Sequence, residues 1–235
     1  MRIALLEDDQ EQAELMVKWL SEAGHNCSHY DNGRDFLRNT LRESYDLLML
    51  DWMLPELSGL EVLQKVRQSG KNFTPVIFIT ARDEESDVVR ALEAGADDYM
   101  AKPVRYKELV ARVAALARRA SGGRDPDDLP ETAPYVFDLK RKTVGLGEKE
   151  VELTHREFDL ALFMFRNAGR VVSRSHILES IWGMHGADLN TRTVDTHISR
   201  LRKKLDLNES NGWQLSAIYQ HGYRLEKMNE PEQQA

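Results

Sequence analysis

The sequence predicts an α/β protein of two domains: a doubly wound (βα)5 parallel sheet over residues 1–119 and a smaller α+β domain over 135–228, joined by a linker at 120–134 and followed by a tail at 229–235. Three observations predict it. Short apolar runs alternate with stretches of helical period, the pattern of parallel strands joined by right-handed crossovers. Four of those runs end in residues suited to phosphate and metal chemistry: Ile3 to Leu6 leads into Glu7, Asp8 and Asp9, Leu47 to Leu50 into Asp51, Val76 to Ile79 into Thr80, and Asp98 to Ala101 into Lys102. Such residues converge at the carboxyl edge of an open sheet, where ligands bind. Residues 121–134 hold three prolines, two glycines and almost nothing to bury, as a linker does.

The elements follow in order. A helix over 10–23 carries Ala13, Met16 and Leu20 on one stripe, and strand 26–30, helix 33–43, strand 46–50 and helix 58–69 come next. Strand 76–79, helix 84–94, strand 98–101 and helix 105–119 complete the first domain. Gly24, Gly70 and Gly95 fall just past three helix ends, as left-handed caps do. Beyond the linker, strands 135–138, 142–145 and 150–153 precede Thr154 and Glu157, whose spacing is a capping box opening a helix to 167. Helices 174–182 and 191–205 follow, and strands 214–219 and 223–226 flank a turn containing Gly222 as a closing hairpin.

The 235 residues suffice for two cores. The single cysteine, Cys27, excludes an internal disulfide, and no apolar stretch nears the roughly 18 residues of a membrane span. The acidic triplet after the first run is no signal-peptide pattern, so a cytoplasmic location is expected. The net charge of -7 is unevenly spread: residues 1–120 carry 16 Lys and Arg against 21 Asp and Glu, whereas residues 131–235 carry 15 of each. Within that neutral half, Arg192, Arg200, Arg202, Lys203 and Lys204 are opposed only by Asp195, which makes a basic stripe fit for phosphate contact.

Glu7, Asp8 and Asp51 at one sheet edge repel unless a hard divalent cation neutralises them, and Mg2+ suits carboxylate ligands. Asp51 can then act as a nucleophile on phosphorus, with Lys102 as cation and Thr80 as hydroxyl for the phosphoryl oxygens. Each residue alone is more often a cap, a turn or a solvated charge; the four together, at helix-length spacing, are not. A phosphatase of the haloacid-dehalogenase type also uses a strand-end Asp, Thr, Lys and Mg2+, but needs a second Asp where this chain has Met53.

Leu-Leu-Glu-Asp-Asp at 5–9, Leu-Asp-Trp-Met-Leu-Pro-Glu-Leu-Ser-Gly at 50–59, Phe-Ile-Thr-Ala-Arg at 78–82 and Glu-Ala-Gly-Ala-Asp-Asp-Tyr-Met-Ala-Lys-Pro at 93–103 resemble the flavodoxin-like receiver domain of two-component response regulators. The resemblance implies that Asp51 accepts a phosphoryl group from a sensor histidine kinase. It implies that Glu7, Asp8, Asp51 and the main-chain carbonyl of Met53 hold Mg2+, that Thr80 and Lys102 hold the phosphoryl oxygens, and that Lys102-Pro103 is cis. Tyr99 takes the position of a rotamer switch, and Met53 and Arg82 sit where relatives tune phosphoryl lifetime. Leu92, Asp97, Asp98, Glu108, Val110, Arg112 and Arg119 match a homodimer face built from helix 84–94, strand 98–101 and helix 105–119. The chain departs from the pattern at Val88, where Lys or Arg usually pairs with Glu108, and at Val104, where Phe is usual. Leu92, Val110 and Val88 are expected to make that contact more apolar.

Helix 191–205 places Arg192, Thr196, Ser199, Arg200, Lys203 and Lys204 outward, with Val194, Ile198, Leu201 and Leu205 on the opposite stripe. Such a helix fits a major groove. Leu-Thr-His-Arg-Glu-Phe-Asp-Leu at 153–160, Asn-Ala-Gly-Arg-Val-Val-Ser-Arg at 167–174, Ile-Trp-Gly at 181–183, the run 192–205 and Gly-Tyr-Arg-Leu at 222–225 resemble the winged helix-turn-helix effector domain of the OmpR/PhoB family. The resemblance implies that Arg192, His197, Ser199, Arg200 and Arg202 touch double-stranded DNA, and that residues 182–190 form the loop that meets RNA polymerase, with Trp182 itself in the core. The wing departs from Arg-Gly-x-Gly-Tyr: Tyr219, Gln220 and His221 stand where the family places its minor-groove arginine and its neighbours. The expected function is a phosphorylation-dependent transcriptional regulator that is not an enzyme and binds tandem half-sites as a dimer; a back half devoted to protein contacts is the alternative.

Overall fold

The computed structural model describes residues 1–69, 74–120, 131–147, 149–183, 191–208 and 211–228. The cap expected at Gly70, linker residues 121–130, loop residues 184–190 and the tail 229–235 lie outside the described residues. The chain divides into two compact units, Met1–Asp125 and Pro126–Ala235.

In the first unit, β1 (Arg2–Leu6), α1 (Gln10–Glu22), β2 (Asn26–Tyr30), α2 (Gly33–Arg42), β3 (Leu47–Leu50), α3 (Gly59–Gln68), β4 (Val76–Thr80), α4 (Glu85–Glu93), β5 (Asp98–Ala101) and α5 (Tyr106–Ala120) alternate as expected. The sheet is parallel with order β2-β1-β3-β4-β5, which puts the four chemistry-bearing strands side by side. Apolar runs rather than alternation make β1, β3 and β4, because both faces are covered. Ile3, Leu5, Met49, Ile77 and Met100 pack against α1 and α5, while Ala4, Leu6, Leu50 and Phe78 pack against α2, α3 and α4. Gly24 and Gly95 adopt positive φ past α1 and α4. Cys27 on β2 is half-buried, and burial pushes its thiol pKa up to about 12.

The second unit holds the antiparallel sheet β6 (Tyr135–Asp138), β7 (Thr143–Leu146) and β8 (Lys149–Val151), then α6 (His155–Arg166), β9 (Val171–Val172), α7 (Arg174–Trp182), α8 (Arg192–Lys204) and the hairpin β10 (Trp213–Ile218) and β11 (Gly222–Lys227). Thr154 and Glu157 form the expected capping box. The sequence reading missed β9, which pairs with β11 and turns the closing hairpin into a three-stranded sheet, because two residues are too few to alternate. One core gathers Phe158, Met164 and Phe165 of α6, Val194, Ile198 and Leu201 of α8, and Trp213, Leu215, Tyr223 and Leu225 of the hairpin. Trp182 is half-buried against that core, its ring edge-on to His197 at 4.9 Å.

Among the described residues, each unit has one glycine whose missing side chain permits a close approach to a main-chain oxygen. A Cβ on Gly59 would lie 2.0 Å from the main-chain oxygen of Asp51, and one on Gly222, at φ +137°, would lie 2.0 Å from that of Val172. Gly59 thereby seats the start of α3 against the residue after β3; Gly222 seats the hairpin on β9. Among the described residues, no helix is long and apolar enough to cross a membrane.

Candidate functional site

The carboxyl edge of the first sheet collects the expected side chains. Asp51, just past β3, and Glu7, just past β1, are buried, whereas Asp8 is exposed; one oxygen from each lies within 4.8 Å of the others. Lys102, past β5, reaches back so that its Nζ donates to Asp51 Oδ2 at 2.6 Å and to Glu7 Oε1 at 2.8 Å. Asp51 Oδ1 accepts the Met53 main-chain N–H at 2.9 Å, which fixes the plane of the carboxylate. Thr80 is fully buried at the end of β4; its carbonyl accepts the Lys102 N–H at 2.8 Å, and its Oγ1 accepts the Arg82 N–H at 3.5 Å. Lys102-Pro103 is cis.

This pocket is electrostatically incomplete. Burial pushes the Glu7 carboxyl pKa above the ordinary range in spite of Lys102, and Asp51 adds to that repulsion. Burial alone would lower Lys102, but hydrogen bonds to Asp51 and Glu7 hold it above its ordinary value. Glu7 Oε2 is buried, with the Lys102 ammonium 2.8 Å away, so one cation faces the carboxylates of Glu7, Asp8 and Asp51. Three carboxylates around one ammonium make an all-oxygen donor set that fits a hard divalent cation such as Mg2+.

Tyr99 is half-buried, 6.2 Å from the Phe78 ring, and its hydroxyl donates to the Arg82 carbonyl at 2.8 Å, so it holds the loop that follows Thr80. Sequence reasoning did not find what the Arg82 side chain does: Nη1 donates to the buried carboxylate of Asp87 in α4 at 3.0 Å, Nε meets Met53 Sδ at 3.3 Å, and the guanidinium lies 5.2 Å from the Trp52 ring. The charged residues of the expected dimer face are paired within the chain. Arg112 contacts Asp98 at 3.0 Å and Glu108 at 2.9 Å, Arg67 contacts Asp97 at 3.1 Å, and Arg119 donates to the Asp97 carbonyl at 3.3 Å. Val88 and Val110 are half-buried; on α4 the open apolar side chains are Val89 and Leu92, 45% and 46% exposed.

On α8, Val194, Ile198 and Leu201 are buried while Arg192, Thr196, Ser199, Arg200, Lys203 and Lys204 are exposed. Two of the expected contacts also anchor the helix: Arg202 Nε donates to the Leu215 carbonyl at 2.8 Å, and Lys204 Nζ donates to Glu157 Oε2 at 2.8 Å. Burial would raise Glu157, but Lys204 and the Thr154 cap outweigh it and hold it below the ordinary range. Asp195, the one carboxylate in α8, is likewise neutralised: Oδ1 accepts Arg174 Nε at 2.8 Å and the Tyr223 hydroxyl at 2.6 Å. Arg174 also lies 4.9 Å from the Tyr223 ring, which ties α7, α8 and β11 together. His197 Nδ1 donates to the Thr193 carbonyl at 2.9 Å. At the tip between β10 and β11, Tyr219 is 84% exposed, Gln220 has φ +60°, and His221 Nδ1 lies 2.7 Å from the Tyr219 carbonyl.

Residues 3–114 match the response regulator receiver domain family, and residues 148–225 match the family described as transcriptional regulatory protein, C terminal. The chain is 37% identical to the alkaline phosphatase synthesis transcriptional regulatory protein PhoP of Bacillus subtilis, over 97% of this chain and 99% of that one. It is 34% identical to the sensory transduction protein RegX3 of Mycolicibacterium smegmatis, over 95% and 98% respectively. In fold, it matches a CheY-like receiver domain protein from Methanospirillum hungatei with a TM-score of 0.50 at 24% identity, over 52% of this chain and 98% of that one.

Proposed function

The chain belongs to the OmpR/PhoB family of two-component response regulators, a receiver domain coupled to a DNA-binding effector domain, and from that premise we propose that Asp51 is the carboxylate its sensor histidine kinase phosphorylates. The observation that carries this reading is Lys102 Nζ at 2.6 Å from Asp51 and 2.8 Å from Glu7, at the sheet edge shared with Thr80. An oxygen of Asp51 attacks phosphorus, the P–N bond of the phosphohistidine breaks, and the imidazole leaves with the bonding pair. Met53 N–H keeps the carboxylate oriented for that attack. Lys102 then passes from the carboxylate to a phosphoryl oxygen, and the Thr80 hydroxyl is placed to donate to another. Glu7, Asp8, Asp51 and the Met53 carbonyl would hold Mg2+, which when bound supplies positive charge for the phosphoryl oxygens.

Movement of Thr80 is felt by Tyr99 through the loop at Arg82, and α4 is tied to the same loop through Asp87. Phosphorylation thus biases the face of α4, β5 and α5, where Leu92, Asp97, Asp98, Glu108, Val110, Arg112 and Arg119 pair two copies once their internal partners exchange. The dimer places two α8 helices on tandem half-sites about one helical turn apart. Arg192, Thr196, His197, Ser199, Arg200 and Lys203 meet major-groove edges and phosphates, Arg202 and Lys204 add charge from anchored positions, and Tyr219, Gln220 and His221 enter the adjoining minor groove. In this reading the receiver spans 1–119, the linker 120–134, the effector 135–228 and the tail 229–235, and residues 182–190 are the surface for RNA polymerase. The PhoP relative is a transcriptional regulatory protein and residues 148–225 match a transcriptional regulatory family, so neither the phosphatase nor the protein-contact alternative is retained.

The test is labelling by a small acyl phosphate with Mg2+: wild type is labelled and gains DNA affinity, and Asp51→Asn does neither. Equal labelling of Asp51→Asn would remove the assignment.

A further inference from the structure

The wing tip carries a hydrogen-bonding pattern opposite to that of an arginine. His221 Nδ1 lies 2.7 Å from the Tyr219 carbonyl, and a carbonyl can only accept, so Nδ1 holds the proton. In the neutral ring this leaves Nε2 of the exposed His221 as an acceptor without a hydrogen. The minor-groove edge of an A·T pair offers only acceptors, whereas a G·C pair adds one donor, the guanine N2 amino group. An acceptor aimed into this groove therefore has one partner, and it is on guanine.

The rest of the tip points the same way. Narrow A·T-rich minor grooves attract cations through their enhanced negative potential. Residues 219–221 include no Lys or Arg, and the nearest cation on β11, Arg224, is paired with Glu226 at 2.9 Å. Tyr219 fills the tip with an exposed ring whose hydroxyl both donates and accepts and so does not discriminate. Gln220, at φ +60°, makes the tight turn that brings His221 back to the Tyr219 carbonyl.

We propose that His221 reads the guanine amino group, so that this regulator favours G·C pairs where its wing meets the minor groove. The proposal rests on the reading above that the wing enters that groove. It is tested with the full chain, phosphorylated by an acyl phosphate, on duplexes it selects from a random library. Guanines flanking each half-site are replaced one at a time by inosine, which lacks the amino group and keeps the major-groove edge. Adenines are replaced by 2,6-diaminopurine, which adds the group. One lost hydrogen bond predicts affinity about threefold to tenfold weaker at one inosine position. It also predicts a gain at one diaminopurine position and loss of both responses in His221→Phe. Indifference to inosine at every flanking position, or the same discrimination in His221→Phe, would overturn the proposal while leaving DNA binding intact. A phosphorylated chain that selects no duplex would overturn the DNA-binding reading itself.

Discussion

Both units use a lysine to reach a buried glutamate, and the two pairs come out with opposite balance. In the first, Lys102 is 14% exposed and is shared between two carboxylates, and Glu7 is left with a raised pKa. In the second, Lys204 is 38% exposed and serves Glu157 alone; with the Thr154 cap it satisfies that carboxylate and lowers its pKa. The difference separates a site from a brace. A brace is complete when the chain has folded, whereas a site keeps charge that only a ligand can balance.

The largest losses are expected at the two close-packed glycines. Gly59→Ala and Gly222→Ala each drive a methyl group into a main-chain oxygen, and each is expected to cost about 3 kcal/mol or more. Calorimetry of the full chain should show the first lowering only the receiver transition and the second only the effector transition; a single shared shift would mean that the units do not fold separately.

The two lysines should differ in what their loss costs. In chelator-treated buffer, Lys102→Met leaves two buried carboxylates unpaired and is expected to cost about 3 kcal/mol. Lys204→Met, whose cation is more than a third exposed, is expected to cost about 1 kcal/mol or less. Urea melts followed by near-UV dichroism measure both, and equal costs would erase the distinction between site and brace.

Acid should separate the units further. Glu157 and Asp195 have folded pKa values below their ordinary ones, so their stabilisation is present above about pH 4.5 and is lost as pH falls through the folded values. Glu7 has a folded pKa above its ordinary one, so lowering the pH toward 4.5 relieves the receiver pocket. Without metal, the effector melting temperature should therefore fall relative to that of the receiver as the pH is lowered toward and then below about 4.5. The smallest effect is at Gln220. Its left-handed conformation suits glycine, so Gln220→Gly is expected to stabilise the effector by about 0.5 kcal/mol, read as a small rise in its transition.

The fold was legible where the chain repeats a rule. Apolar runs gave β1, β3 and β4 because both sheet faces are covered, and strand-end residues gave the pocket because parallel strands all point their ends one way. Val171 and Val172 were not legible, since a two-residue strand exists only because β11 offers it a partner. The basic stripe of α8 was read from its period, but the second duties of Arg202 and Lys204 were not. Their partners, Leu215 and Glu157, come from elsewhere in the sequence, and a helix seen alone cannot tell a free cation from an anchored one. Arg82 and Asp87 escaped for the same reason. Their bond becomes visible only once β4 ends beside α4.

Cys27 is the chain's single thiol and, held in its protonated form by burial in β2, a poor nucleophile at neutral pH. Maleimides and spin-label reagents should therefore pass it by, so a cysteine introduced at Val89 or at Tyr219 would report from that position with little background and would test the proposed dimer pairing and the proposed wing insertion in the otherwise natural sequence.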